Sequence, residues 1–458
     1  MNFGKSLVTL AVLSGCLASA PASALTLKEA VEQAVSTNPQ VLEAAANRRS
    51  VDFELKQAYG GYLPKVDLEG AIGPQFVDKP NSLSTGENRT WRNARDASVV
   101  VRHTFFDGFA RANEVYRQGA RIDGAAARVM ERAELIGLDA VETYLDVWRH
   151  QRILVAANKN LLVHRQLLRL VRTRYAGGSS TEGELRQAEE RVSAVEAVRA
   201  DVLRELGAAK ARFESVIGTA PSEIGGARPP KGLPNTQAAA ILQARNSHPA
   251  LAAAASDVDA ASAEYGKAGA RFLPNIGVEG RATVGEDIDG TPGRNNDFSV
   301  RMTMSWNIFN GGIDTNRRFQ LGEKVTETKL RLDQLRRTVD EAVRRSWSDI
   351  GTNDLRLRAL TDQTRAAEAV IVNYNREYEA GLRDLLDLLI AQNAAFSAKV
   401  QKISSETIAV FARYRLLASM GGLLASFGVT PPAESVRTTG EQPWFVGSPT
   451  LIEPLRKW

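Results

Sequence analysis

Apolar residues return at every seventh position from Ala126 through Ala133, Ala140, Val147, Leu154, Leu161 and Leu168 to Tyr175. A seven-residue repeat held this long drifts around a straight helix, so it predicts a helix supercoiled left-handed against its neighbours. Counted from Phe109 to Tyr175, that helix is roughly 100 Å long at 1.5 Å per residue. Gly177-Gly178-Ser179-Ser180-Thr181 predicts its end. Leu185, Ala188, Val192, Val195, Val202, Leu206, Ala209, Phe213 and Val216 then trace a helix returning along it, with Arg199 as the break in the seam. A second hairpin follows the same plan. Leu332, Val339, Val343, Ile350, Leu357, Leu360, Ile371 and Tyr378 run outward, and Leu388, Ala391, Ala395, Ala398, Ala409, Ala412 and Leu416 run back, with Lys402 at the place of Arg199.

Between these helices the period drops to two. Phe298, Val300, Met302, Met304, Trp306 and Ile308 alternate with Ser299, Arg301, Thr303, Ser305 and Asn307; upstream, Ile276, Val278, Gly280, Ala282 and Val284 alternate with Gly277, Glu279, Arg281 and Thr283. A weaker copy lies at Val66, Leu68, Gly70 and Ile72, then Val99, Val101 and Phe105. Strands with one apolar and one polar face suit a barrel wall between lipid and water, which makes Phe298, Val300, Met302, Met304, Trp306 and Ile308 candidate lipid-facing residues. A hairpin packed on a helix in a soluble domain alternates in the same way. If the strands are a wall, four of them cannot close, since barrels need about eight and open edges are not tolerated in lipid. The barrel is then shared between chains.

The whole plan is written twice. Asn38-Pro39 returns as His248-Pro249 and Tyr62-Leu63-Pro64 as Phe272-Leu273-Pro274, at an offset of 210. From Phe106-Asp107-Gly108, which returns as Phe309-Asn310-Gly311, the offset is 203, and it carries Tyr175 to Tyr378 and Gly178 to Gly381. No proline falls between Pro80 and Pro221 or between Pro292 and Pro431, so both stretches can be uninterrupted helix. The expected organisation is a first repeat over 25–218, a linker over 219–235, a second repeat over 236–425 and an irregular tail over 426–458. Each repeat opens with a shorter helix, about Leu27 to Tyr59 and Gln237 to Ala270.

Composition narrows the class further. The 458 residues carry 24% charged and 7% aromatic side chains with a net charge of +5, and the basic residues are interleaved with acids along the helices. That is the pattern of solvated helix faces, not of a nucleic-acid surface. Lys5, the apolar run to Ala18 and Ala22-Ser23-Ala24 predict a signal peptide over 1–24. Leu13-Ser14-Gly15-Cys16 supports a rival reading, lipidation at Cys16, the only cysteine. No later run is apolar enough for a transmembrane helix. His103, His150, His164 and His248 are scattered, and Gly177-Gly178 reads as a helix stop rather than a phosphate loop. Neither an enzyme nor a cofactor is expected. Two classes remain, a membrane-embedded duct and a periplasmic coiled-coil scaffold, and the amphipathic strands favour the duct.

At this point the residues resemble the TolC-type outer-membrane efflux and secretion proteins. The resemblance rests on Asn38-Pro39, Gly61-Tyr62-Leu63-Pro64, Trp306-Asn307-Ile308-Phe309-Asn310-Gly311-Gly312 and the run from Tyr378 to Leu389, in that order and duplicated. It implies a mainly α fold with β, a long α-helical coiled-coil barrel continued by a transmembrane β-barrel shared between protomers. It further implies a homotrimer in outer-membrane lipid, docked through a periplasmic adaptor, or membrane fusion protein, onto an inner-membrane ABC or proton-driven transporter. The start after an Ala-x-Ala site is similar to the type I secretion branch, and Cys16 to the lipidated multidrug branch. For the closed periplasmic end the resemblance implies a gate of Tyr378, Arg383 and Glu184, with Arg383 held by Glu184 and the Tyr378 hydroxyl. It also implies a pore-lining acidic ring at Asp387, with Ile390 where the family has a second aspartate. Read from the residues alone, Tyr378 continues a seam, and Asp387 could simply pair with Arg383.

Overall fold

The computed structural model describes residues 25–78, 89–221, 224–288 and 293–436. The expected signal peptide with Cys16, and the tail beyond 436, lie outside them. The first half runs α1 (Leu27–Thr37), α2 (Pro39–Gly60), β1 (Lys65–Asp78), β2 (Arg89–Phe106), α3 (Ala110–Ala176) and α4 (Glu182–Ile217). The second half repeats this order as α5 (Gln237–Ser247), α6 (Pro249–Gly269), β3 (Asn275–Glu286), β4 (Arg294–Ser305), α7 (Ile313–Glu379) and α8 (Leu385–Ser419), and a short α9 (Leu423–Phe427) follows. Both long helices have 67 residues.

Each opening helix, expected as one, is two. Proline lacks an N–H and forces the residue before it out of the helical region, and Asn38 (ψ 128°) and His248 (ψ 121°) are extended accordingly. Both breaks are capped. The Asn38 side chain accepts from the Gln40 amide at 3.0 Å, and His248 Nδ1 accepts from the Ala250 amide at 3.2 Å.

The four strands form one antiparallel sheet in the order β1-β2-β3-β4, so β2 and β3 join the two halves of the chain. β4 is shorter than its alternation suggested. Asn275 pairs with Ser305, and the next residue of the β3 side is Pro274, which has no N–H to continue the ladder. Trp306 and Ile308 therefore lie past the strand, where the Trp306 indole donates to the Phe272 carbonyl at 3.2 Å.

The described residues fall into two compact units, each drawing on both halves of the sequence. One comprises the described residues up to Val31, Ala140–Arg228 and Leu360–Thr407; the other comprises Glu32–Asp139, Pro229–Ala359 and the described residues from Ile408. In the first, Ile153, Ala156 and Ile403 form an apolar layer with Phe396 and Val400 against it. Arg199, the break in the predicted seam, donates to Asn158 Oδ1 of α3 at 2.7 Å, so the polar step is matched across the hairpin. In the second, Val51, Leu55 and Tyr59 of α2 pack on Val115, Ile122 and Ala125 of α3. There the buried Glu134 carboxylate accepts from the Leu423 and Leu424 amides at 2.9 and 3.2 Å, and burial raises its pKa to about 7.

Candidate functional site

Ladder register assigns the two faces of the sheet. Val66, Leu68 and Ile72 of β1 share a face with Val99 and Val101 of β2, Val278 and Ala282 of β3, and Phe298, Val300, Met302 and Met304 of β4. This face is open: Leu68 is 79% and Met302 80% exposed. It ends towards the strand loops in a row of charges, Arg95, Glu286 and Arg294, past which the Phe76 and Trp91 rings meet tilted, with centres 5.4 Å apart. An apolar band closed by charge and then by aromatic residues matches a lipid-facing wall. The opposite face carries ion pairs across strands, Arg102 to Asp67 at 3.0 Å and to Glu279 at 2.9 Å. It is also the more enclosed, since Ser98 and Val100 in its middle are buried.

The α3–α4 and α7–α8 turns have one backbone and two chemistries. Each long helix ends on a glycine in the left-handed region, Gly178 and Gly381, both at φ 76°. The next amide reaches five residues back, Ser179 to the Arg174 carbonyl and Leu382 to the Glu377 carbonyl, both at 2.8 Å. In the first turn Thr181 and Glu184 then close a capping box: the Glu184 amide donates to Thr181 Oγ1 at 3.2 Å, and the Thr181 amide donates to Glu184 Oε2 at 3.0 Å. Ser180 Oγ adds a third bond at 2.5 Å. The bonds from Ser180 and Thr181 hold the Glu184 carboxyl below the usual carboxylate range.

In the second turn Arg383 occupies the Ser180 position. Its Nε donates to Glu377 at 2.5 Å, its Nη1 to Asp387 at 2.9 Å, and its guanidinium lies 3.8 Å from the Tyr374 ring centre. Within the chain, Arg383 thus meets Glu377 and Asp387, not Glu184 or the Tyr378 hydroxyl. Tyr378 is only 4% exposed and packs with Leu167, Leu168, Val171, Leu385 and Leu388. Asp387 and Ile390 are exposed, on the side of α8 away from buried Leu388 and Leu389.

Sequence reasoning missed Arg174. From the last turn of α3 it donates to the Tyr378 and Glu379 carbonyls at 3.2 and 3.0 Å, and its guanidinium sits 4.6 Å from the Tyr378 ring centre. A cation against helix-terminal carbonyls is favourable, and here it ties the first turn to the end of α7. Burial raises the Tyr378 pKa, Arg174 opposes that and Glu184 adds to it, so these three groups sense one another. A basic residue in the last helical turn was the available signal; which helix it would reach was not.

The histidines serve the framework. His164 is buried, with burial first and Arg191 second lowering its pKa, and His150 Nδ1 lies 2.9 Å from the Asp146 carbonyl. Among the described residues no three His, Cys, Asp or Glu side chains gather to hold a metal ion.

The sequence model of the outer membrane efflux protein family matches residues 30–219 and 240–422, which covers both repeats. The chain belongs to that family. It is similar to the outer membrane efflux protein BepC of Brucella suis biovar 1, 26% identical over 428 residues covering 92% of this chain and 91% of the relative. It is also similar to the alkaline protease secretion protein AprF of Pseudomonas aeruginosa, 22% identical over 87% of this chain and 85% of the relative. The fold matches solved outer-membrane proteins. OprN aligns with a TM-score of 0.72 at 22% identity over 86% of this chain and 90% of its own, and VceC from Vibrio cholerae with 0.72 at 16% over 86% and 96%. Family membership makes the chain an outer-membrane efflux protein, and its fold is the one these solved outer-membrane proteins share.

Proposed function

We propose that this outer membrane efflux protein assembles as a homotrimer whose three four-stranded sheets close one twelve-stranded barrel, continued by an α-helical tunnel across the periplasm. It serves as the exit duct of a tripartite type I secretion or efflux machine, docked through a periplasmic adaptor onto an inner-membrane transporter. One observation carries the reading: among the described residues β1 and β4 each pair on one side only, while the apolar face between them is exposed. Lipid does not tolerate open edges, and with an even number of antiparallel strands, β4 of one protomer meets β1 of the next antiparallel as well. Relatives named for protease secretion and for efflux support the duct and leave both cargo classes with it. At rest the periplasmic end is held around the two turns, with Arg383, Tyr378 and Glu184 as gate residues and Asp387 facing the pore.

Cysteine cross-linking tests the assembly, because Cys16 is the sole native cysteine. Cysteines placed at Leu68 on β1 and Val300 on β4, and one ladder step to either side, should yield a covalent trimer on a denaturing gel of outer membranes. Monomer at every register, or a ladder running beyond three, would remove the shared barrel.

A further inference from the structure

The polar face of the sheet carries its charges in axial order. The charged row nearest the helices sets Lys65, Arg102 and Arg301 against Glu279 alone. The next row balances Asp67 with Arg281, and the third holds Glu69 and Asp297 with no cation. Asp96 follows in the fourth. Cross-strand pairs occupy part of this charge, with Arg102 on Asp67 and Glu279 and Arg281 within 3.9 Å of Glu69. The balance is positive at the helix end and negative towards the strand loops. Beyond the acidic rows Arg92 lies 3.7 Å from Asp287, so the last charges of this face cancel.

We propose that in the assembled barrel these rows become two stacked belts of opposite sign, cationic at the helix end and acidic towards the outside, which make the pore conduct asymmetrically. This rests on the shared barrel proposed above, whose symmetry triples each row. The enclosure of Ser98 and Val100 on this face is what a lumen-facing wall requires. The belts lie four residues apart along a strand, roughly 13 Å at about 3.3 Å per residue. That exceeds the Debye length of about 10 Å at 0.1 M salt, so each belt acts on its own counter-ions. The cationic belt gathers anions and the acidic belt gathers cations. With the extracellular side positive, anions move outward and cations inward, both fill the junction between the belts, and conductance rises. The opposite polarity empties the junction.

Single trimers in planar bilayers test this. In 0.1 M KCl, conductance should be roughly twofold higher with the extracellular side positive, and the ratio should vanish at 1 M, where the Debye length is about 3 Å. Lys65→Gln with Arg301→Gln, or Asp96→Asn with Asp297→Asn, should each abolish the asymmetry while conductance at 1 M is unchanged. Exchanging the charges of exposed β4 residues by Arg301→Asp with Asp297→Arg leaves both of these rows neutral and should remove the asymmetry at constant net charge. A symmetric wild-type channel, or an asymmetry that survives both neutralised pairs and the exchange, overturns the belts. A wild type that forms no trimer or channel instead sinks the barrel reading. Arg301→Gln alone, which should lower the ratio, replaces any pair that fails to assemble.

Discussion

The turn after α3 and the turn after α7 share a glycine at φ 76° and the same five-residue back-reach of the next amide, yet they hold their charges in different ways. In the first turn the charged side chain, Glu184, bonds its own helix start; in the second, Arg383 reaches across the turn to Glu377 and Asp387. The lesson is that duplication conserves the backbone and diverges in where each charge finds its partner. A capping box stabilises a turn locally. A cation between two carboxylates on different elements can be released by anything that offers it another partner.

The sharpest contrast is between Tyr378, 4% exposed, and its counterpart Tyr175, 43% exposed. Deleting a buried aromatic ring costs about 3–5 kcal/mol, and a surface substitution within about 0.5 kcal/mol. Tyr378→Ala should therefore strip hydrogen-exchange protection from the first turns of α8, and Tyr175→Ala should leave α4 as it was. Equal losses at both turns would end the comparison.

A smaller effect comes from pH and separates two acids that both hold helix-start amides. Glu134 is buried with its pKa raised from 4.5 to about 7, so its stabilising neutral form prevails in acid and is lost as pH rises through about 7. At 1.36 kcal/mol per unit this is about 3 kcal/mol in order of magnitude. Glu184 is the opposite case: its pKa is lowered, so its contribution is present above its unfolded value of 4.5 and is lost as pH falls through the folded one. Glu134→Gln keeps an oxygen acceptor for Leu423 and Leu424 and should raise the melting temperature at pH 8 but not at pH 4. Glu184→Gln should weaken the α4 start at neutral pH and make no difference in strong acid. The two pH profiles must slope oppositely.

Arg174 comes next in size. Hydrogen bonds from a charged donor contribute about 1.5–3 kcal/mol, less at a surface, so loss of this tie should favour opening of the tip by roughly tenfold. Arg174→Ala should raise single-channel conductance at unchanged trimer yield, and Arg174→Lys should recover little, because one ammonium does not span two carbonyls and a ring face. Wild-type conductance in Arg174→Ala would reduce the tie to local capping.

Much of this was legible in the chain. Heptads gave the hairpins and alternation gave the strand faces, because both periods report local geometry that neighbours reinforce. Asn38-Pro39 and His248-Pro249 were visible as a repeated pair, but whether a proline kinks a helix or divides it depends on the extended residue before it. The β2–β3 join, and the meeting of Arg383 with Glu377 six residues earlier, depend on chain reversals that no periodicity encodes. Arg174 is the extreme case, reaching carbonyls 204 and 205 residues away.

The smallest expected effect concerns Asp387, for which pore lining and pairing with Arg383 were alternatives in the sequence. The geometry makes them compatible: Asp387 accepts from Arg383 at 2.9 Å, yet its side chain is half exposed on the outer side of α8, together with Ile390. An exposed pair contributes only about 0–1 kcal/mol, so the arginine dilutes the field of an acidic ring without abolishing it. Arg383→Ser should then raise cation preference by up to about fivefold, and Asp387→Asn should lower it, both read as reversal potentials under a KCl gradient. In the proposed ring, Ile390 leaves no second acidic tier one turn deeper. Block by hexammine cobalt should accordingly tighten in Ile390→Asp, and only where Asp387 is intact, since a multivalent cation binds best between stacked carboxylates. Should Asp387→Asn keep full cation preference while Arg383→Ser raises conductance and not cation preference, Asp387 serves the arginine alone and the two turns differ in closure, not in what they present to the pore.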